Sequence, residues 1–464
     1  MSYTSGKPLN TYKLTLMNVT AIINLSSIAY MATIGFQSVI FYLIAGLFFL
    51  IPTALVCAEL GGMMTQDNGG VYTWVSRAFG KKAGVVAIWM EWFNNVIGFP
   101  ASLSAIVATV AYIGLEGLLT EKTQMWVLML MIYWAVTFFN FLPMKRIVWL
   151  NILGALFGMI LPGILILLGA IYTVTNGDYN HSVFNIDAWI PTLSFATFAL
   201  LVKTFSSYSG IQATAFHMRN VENPQRKIPI SMLSSILVIF LLTSVSTVAL
   251  ALILPEGTVD PLNGLIQGIS MVLSIAGLDF LKPIIALLIT LGMVAALSTW
   301  MLGPARAMQE AAYQDYIPSV FSKTNKNTMP IAVLWVQGII GTLLSFVFLF
   351  MPSIQSAFAM LVALTSQFTV FVWVMVFASA IKLRYLQPEA TRLFRVGIKG
   401  NSLLIMICTI GIIACACGFF LGLFPPGFSH IQSIGWYIGI MLIADVIIIS
   451  IPLIWLYFHR HKPI

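Results

Sequence analysis

The sequence predicts an all-α polytopic membrane protein with twelve transmembrane helices, and three observations predict it. Of 464 residues, 59% are hydrophobic and only 8% are charged, against roughly 25% charged in soluble domains. The mean hydropathy is +0.95, and 12 Trp, 15 Tyr and 32 Phe are present. Together these exclude a water-soluble globule of this size and a disordered chain. Apolar runs of the ~20 residues needed to cross ~30 Å of hydrocarbon recur along the whole sequence, too long and too uniform for barrel strands.

Residues 1–12 are mostly polar and lead straight into the first span with no small-residue cleavage site, so a cleavable signal peptide is not expected. Span one, 13–35, carries Asn18, Thr20, Asn24, Ser26 and Ser27 in an otherwise apolar helix. Span two, 38–64, places Glu59 near one end, and span three, 83–114, holds Glu91 at depth. Spans four and five are 124–142 and 147–175. Span six, 191–218, contains Lys203, Thr204, Ser206, Ser207, Tyr208, Ser209, Gly210 and Gln212. Spans seven to ten are 228–254, 282–312, 331–351 and 354–382. Two more follow at 402–424 and 431–458, the last with Asp445, and residues 459–464 form a tail. The loops are short, and no soluble domain interrupts them.

Placing the N-terminus in the cytoplasm puts twenty of the 23 Lys and Arg residues on that face, with only Lys122 and Lys282 opposite and Lys203 within a span. That asymmetry is the positive-inside signal; with an even span count both termini are cytoplasmic. The net charge of +8 therefore reads as topology and not as a nucleic-acid surface.

Polar residues at mid-span are the informative minority of such a chain. Spans one and six hold the two polar clusters, and the five-span offset between them is that of equivalent helices in a five-plus-five inverted repeat. Interrupted helices at the midplane expose amides that favour a carboxylate and carbonyls that favour an ammonium. A zwitterionic amino acid presents both. The competing reading is that the hydroxyls bond back to their own helices. Lys203 and Glu91 fall at similar depth. They are read either as substrate-facing charges or as an ion pair locking two helices. Glu59 is expected to pair with a loop Arg, as gate or anchor. Asp445 reads as a neutral, hydrogen-bonded carboxyl, and His217 as a surface histidine.

Enzyme chemistry finds no support. No G-x-S-x-G, Walker loop, H-E-x-x-H or Cys/His cluster occurs. Cys57, Cys408, Cys415 and Cys417 lie in apolar runs, which suit packing and not a disulfide framework or metal site. No metal and no cofactor is expected.

Three motifs carry a family resemblance. One is Ala58-Glu59-Leu60 followed by Gly69-Gly70-Val71-Tyr72-Thr73-Trp74 and Phe79-Gly80. The second is Val221-Glu222-Asn223-Pro224-Gln225-Arg226-Lys227-Ile228-Pro229. The third runs from Trp300-Met301-Leu302-Gly303-Pro304-Ala305-Arg306 through Asp315, Ile317-Pro318 and Asn325-Lys326-Asn327 to Pro330. The chain resembles the amino acid–polyamine–organocation superfamily, closest to its bacterial glutamate/γ-aminobutyrate antiporter branch. The resemblance implies a LeuT-type fold, with a transport core over 13–382, inverted repeats at 13–175 and 191–382, and two further helices at 402–458. It implies alternating access, with substrate held by Ile23, Asn24, Leu25, Ser26 and Ser27 in the first helix. Ser206, Ser207, Tyr208 and Gly210 would hold it from the sixth, and Trp300 would lie beneath it. Glu91, Lys203, Gln212 and Glu59 are the coupling or gating candidates. The expected partners are an amino acid and its counter-substrate, protons, the lipid of a bacterial cytoplasmic (inner) membrane, and a second copy through the last two helices.

The sequence also departs from the family pattern. The Gly-Ser-Gly type break of the first helix reads Ile23-Asn24-Leu25-Ser26-Ser27. The Glu that often follows the sixth-helix Gly is Gln212, and span five has no mid-membrane Lys. The expectation is an amino acid antiporter, with a proton-coupled importer and a non-transporting amino acid sensor as alternatives.

Overall fold

The computed structural model describes residues 11–22, 25–64, 70–114, 121–192, 194–212, 221, 223–255, 257–313, 317–397, 400–429, 431 and 433–458. Every helix or strand segment among them is helical. In order these are α1 (Thr11–Ile22), α2 (Leu25–Ala32), α3 (Ser38–Ala45), α4 (Ile51–Met63), α5 (Val71–Phe79), α6 (Lys81–Val110), α7 (Lys122–Phe139), α8 (Met144–Ala155) and α9 (Leu161–Asn176). There follow α10 (Phe195–Ser207), α11 (Pro224–Ile253), α12 (Gly264–Ile275), α13 (Lys282–Tyr313), α14 (Ile331–Ser345), α15 (Val347–Phe350), α16 (Ile354–Leu386), α17 (Ser402–Leu421) and α18 (Ile434–Phe458).

Among the described residues, ten helical stretches are long and apolar enough to cross a bilayer, and they coincide with expected spans two to five and seven to twelve. For spans one and six the described helices are shorter: α1 and α2 flank positions 23–24, and α10 stops at Ser207. Two spans contain a π-helical turn, at Gly46–Leu50 between α3 and α4 and at Leu156–Ile160 between α8 and α9. Each lies just before a proline, Pro52 or Pro162. A proline lacks an N–H and crowds the carbonyl four residues back, and a widened turn relieves both.

The loop motifs have local physical reasons. Gly80 adopts φ +91° between α5 and α6, a region closed to most side chains. Asn223 takes φ +47° and precedes Pro224 at the start of α11, where a missing N–H is harmless. The Ser194 and Ser353 hydroxyls cap α10 and α16, accepting from Thr197 N at 3.1 Å and Ser356 N at 3.0 Å. Helices α5 and α12 were not among the expected elements. With nine and twelve residues they are too short to span, and hydropathy over a span-length window misses them. Val71, Trp74, Val75 and Ala78 bury one face of α5 against α6 and α16.

The bundle is built around α6, which contacts α16, α13, α5, α14, α7 and α18. Polar side chains point inward and pair across helices. Asn18 Nδ2 donates to Ser235 Oγ at 2.8 Å, Ser298 Oγ to Asn140 Oδ1 at 2.7 Å, and Trp92 Nε1 to Gln337 Oε1 at 3.3 Å. Outward faces are apolar, as with Leu233, Leu237 and Leu241 on α11 and Ile164, Leu168 and Ile171 on α9. This distribution suits a hydrocarbon solvent. Backbones meet where glycines permit it: a Cβ at Gly292 of α13 would fall on the backbone of Gly158.

One buried ionic knot ties the C-terminal end of α4 to the end of α16 and its following loop. Glu59, 2% exposed, accepts from Arg384 Nε at 2.8 Å and Nη2 at 2.5 Å, and from the Val396 amide at 2.8 Å. Arg392 Nε lies 3.3 Å from the same carboxylate. Arg384 also donates to the Val396 carbonyl at 3.0 Å, and Leu393 N to the Gly62 carbonyl at 3.2 Å. The expected Glu59–arginine pairing is thus present. Burial shifts the Arg392 guanidinium below its ordinary value, and Glu59 opposes that shift.

Asp445 is buried, and its Oδ2 has no hydrogen-bond partner among the described residues. The expected hydrogen-bonded carboxyl is therefore not seen for that oxygen. Cys57, Cys408 and Cys415 are buried and Cys417 is exposed, all as free thiols. His217 lies outside the described residues.

Arg384→Met leaves Glu59 buried with part of its hydrogen-bonding lost, a defect worth about 3–5 kcal/mol. The expected result is a melting temperature in detergent lowered by several degrees, with part of the loss recovered in Glu59→Met/Arg384→Met.

Candidate functional site

A cavity of about 640 Å³ opens between α2, α6, α10, α13 and α16. Its wall gathers residues far apart in sequence: Ile22 and Ser27, Glu91, Asn94 and Asn95, Lys203, Ser206, Ser207, Ser209 and Gln212, Trp300, and Thr365, Thr369 and Trp373.

The end of α10 borders this cavity. Thirteen residues at 1.5 Å each give about 20 Å of helix, too short to cross alone. The chain leaves helical geometry at Tyr208, whose N–H still reaches Thr204 O at 3.2 Å and Phe205 O at 3.1 Å. Ser209 N then bonds Ser206 O at 3.1 Å, a tighter turn. Gly210 follows at φ +134°, which a side chain would resist. The Gly210 amide donates to Gln212 Oε1 at 2.9 Å. A helix C-terminus carries carbonyl oxygens without intrahelical partners and a partial negative charge.

That helix end is held by packing on the side away from the cavity. Phe205 stacks on Phe49 with centroids 5.2 Å apart. Tyr208, fully buried, shares a hydrogen bond with Thr243 at 3.2 Å and lies 5.9 Å from the Tyr42 ring. Tyr208 and Gly210 therefore shape the helix end without lining the cavity. The serines divide between the two readings the sequence allowed. Ser207 donates back to the Lys203 carbonyl at 2.8 Å, whereas Ser206 reaches across to Thr369 at 3.4 Å. Ser209 accepts from Trp373 Nε1 at 3.3 Å.

On the opposite wall, Ile22 ends α1, and Ser27, in the first turn of α2, lines the cavity. Leu25 and Ser26 open α2, while Ile23 and Asn24 lie outside the described residues. Trp300 of α13 is half-exposed at the cavity wall. Glu59 is elsewhere, in the ionic knot. Lys203 and Glu91 line the same cavity, but among the described residues no ion pair joins them.

Several wall residues escaped the sequence reading. Asn94, Asn95, Gly98, Ser102 and Thr109 continue down α6 the stripe that the expected Glu91 begins. Their spacing of three, four or seven residues was the available signal. Asn94 Nδ2 donates to Thr369 at 3.1 Å, and its Oδ1 is buried without a partner among the described residues. Thr365, Thr369 and Trp373 make the matching stripe on α16. Among the described residues no group of His, Cys, Asp and Glu side chains is placed to hold a metal ion.

Comparison with known proteins gives matches over nearly the whole chain. A family model described as "Amino acid permease" matches residues 9–445. An uncharacterized transporter of Legionella pneumophila is 33% identical over 98% of this chain and 98% of its own length. A glutamate/gamma-aminobutyrate antiporter of Lactococcus lactis is 28% identical over 91% of this chain and 85% of its own. A probable agmatine/putrescine antiporter of the same species is 24% identical over 79% and 77%.

In a cysteine-free background, Ser206→Cys and Ser27→Cys are expected to react with a small thiol reagent on the order of tenfold faster than Tyr208→Cys. Equal rates at the three positions would contradict the cavity wall.

Proposed function

The chain belongs to the amino acid permease family, and from that premise we propose that it is an antiporter exchanging amino acids across a bacterial inner membrane by alternating access. It is an integral multi-pass membrane protein of a transporter family, not of an enzyme family. The observation that carries the finer reading is the termination of α10 at a polar cavity in the middle of an apolar bundle. Backbone left without intrahelical partners at membrane depth is tolerated only where it lines a cavity or is buried in protein.

In this reading α1 with α2 and α10 with the chain after it complete twelve spans. Residues 13–175 and 191–382 form the two inverted repeats, and both termini are cytoplasmic. The carbonyl end of α10 receives the substrate ammonium, and the first amides of α2 receive its carboxylate. Ser27, Ser206 and Ser207 add polar contacts at the two ends, and Trp300 closes one side of the space. The loaded cavity opens to either side whereas the empty one does not reorient, so a second substrate is needed to return the site. The antiporters among the relatives, one named for glutamate and γ-aminobutyrate and one for agmatine and putrescine, support exchange but divide on substrate chemistry.

Proton-coupled import is the second reading. It is favoured by Glu91, the one acidic residue among the described residues lining the cavity.

Counterflow in proteoliposomes separates these readings. Antiport predicts saturable uptake of labelled amino acid only into vesicles preloaded with amino acid or its decarboxylation product. Acid-stimulated uptake into empty vesicles would select the importer. Binding without flux would exclude both. Gly210→Ala is expected to lower exchange by on the order of tenfold or more, because the α10 end needs a backbone conformation costing an L residue about 1–3 kcal/mol.

A further inference from the structure

Where α7 ends and α14 begins, away from the cavity, four aromatic rings form one cluster. The Trp335 ring lies 5.3 Å from Trp134, 5.8 Å from Phe138 and 6.0 Å from Phe141, centroid to centroid. Trp134 fills the seam between the two helices. A Cβ at Gly338 would come within 3.0 Å of its ring, and its Nε1 donates to Thr342 Oγ1 at 3.2 Å. Phe138 and Trp335 are instead open to the outside, at 49% and 41% exposure. The exposed apolar face continues away from this end through Met131 on α7 and Ile339 and Leu343 on α14. At 1.5 Å per residue it extends about 10–12 Å. Tryptophan at one end of such a face sits at headgroup level, with acyl chains along the rest.

Two cations lie at the same end. The Asn325 and Asn327 side-chain amides both donate to the Phe141 carbonyl, at 2.8 and 2.9 Å. They hold the loop that carries Lys326, an exposed side chain, against the aromatic cluster. Asn325 also accepts from the Met329 amide at 3.0 Å. The Met329 sulfur lies 3.6 Å from Arg306 Nη2, and the Met144 sulfur lies 3.7 Å from it. Thioethers do not neutralise a guanidinium. Glu310, one turn further along α13, is exposed, and among the described residues neither Arg306 nor Lys326 makes an ion pair. An apolar seam that ends at two uncompensated cations is complementary to a molecule with a negative head and hydrocarbon tails.

We propose that this seam is a binding site for one anionic diacyl phospholipid, its phosphate met by Arg306 and Lys326 and its chains lying on Phe138, Trp335 and the apolar face beyond. The two cations select the headgroup, and the exposed rings hold the chains. A zwitterionic lipid brings an ammonium to the same place and is disfavoured. A free phosphate has no chains to gain from the rings.

The test reads, by native mass spectrometry, the lipid retained by the full chain after extraction from vesicles of equal parts dioleoyl phosphatidylglycerol and dioleoyl phosphatidylcholine. The wild-type protein is expected to retain phosphatidylglycerol over phosphatidylcholine by on the order of thirtyfold. Arg306→Gln and Lys326→Gln are each expected to lower that preference about fivefold, and the double variant to abolish it. Trp335→Ala is expected to lower retention of both lipids alike. Lys82→Gln/Arg395→Gln, which removes two exposed cations from other loops, is expected to leave the preference unchanged. Equal retention of the two lipids by the wild-type protein overturns the site, and that measurement needs no variant. A double variant that matches the wild type also overturns it. An equal loss in the Lys82/Arg395 control would show a diffuse effect of charge and overturn it as well. Displacement of bound phosphatidylglycerol by inorganic phosphate would mark a free-anion site and overturn the lipid as its occupant.

Discussion

A bilayer offers no water to an unpaired peptide group, and that constraint organises this protein. Among the described residues, ten helical stretches are long and apolar enough to cross a bilayer, and a helix pairs most of its own peptide groups. Helix α10 does not, because it stops at Ser207 with most of its length still surrounded by apolar neighbours. Such an end persists only when something polar faces it, and the structure supplies a cavity lined by serines, asparagines, threonines and two charges. Phe205, stacked on Phe49, and Tyr208, bonded to Thr243, hold the helix end from behind.

Around this centre the bundle inverts the logic of a soluble core. Hydrogen-bonding side chains face inward, where each must find a partner, and leucines and isoleucines face outward, where lipid accepts them. Close packing comes from small residues, clearest where Gly158 and Gly292 bring α13 against the turn joining α8 and α9. The Glu59 knot is the exception at the bundle's edge. It joins α4 to α16 with a carboxylate whose two oxygens share two arginines and a backbone amide. Removing one partner there costs more than the pair itself contributes, since a buried charge remains.

The cavity's two charges illustrate why neighbourhood outranks depth. The sequence places Lys203 and Glu91 at similar depth in their expected spans, which predicts mutual neutralisation. In the folded chain both line one cavity, and among the described residues no ion pair joins them.

Ten of the spans and the location of the polar segment in the sixth were legible in the sequence, because length and uniform apolarity are one-dimensional properties that hydrocarbon thickness reads directly. Loop motifs were legible for a similar reason: Gly80 and Asn223 mark backbone conformations set by local sterics. Helices α5 and α12 were not legible, being too short to carry the spanning signal. Nor was the choice of partners: that Ser206 meets Thr369 while Ser207 turns back on its own helix depends on helix rotation, which neighbours impose. The stripe from Glu91 to Thr109 became a wall only when α16 and α10 were packed against it. Composition and periodicity decided which residues enter the membrane, since that is a transfer of one segment at a time. Tertiary packing decided which of them share a cavity, since contact between distant segments is a property of no segment alone.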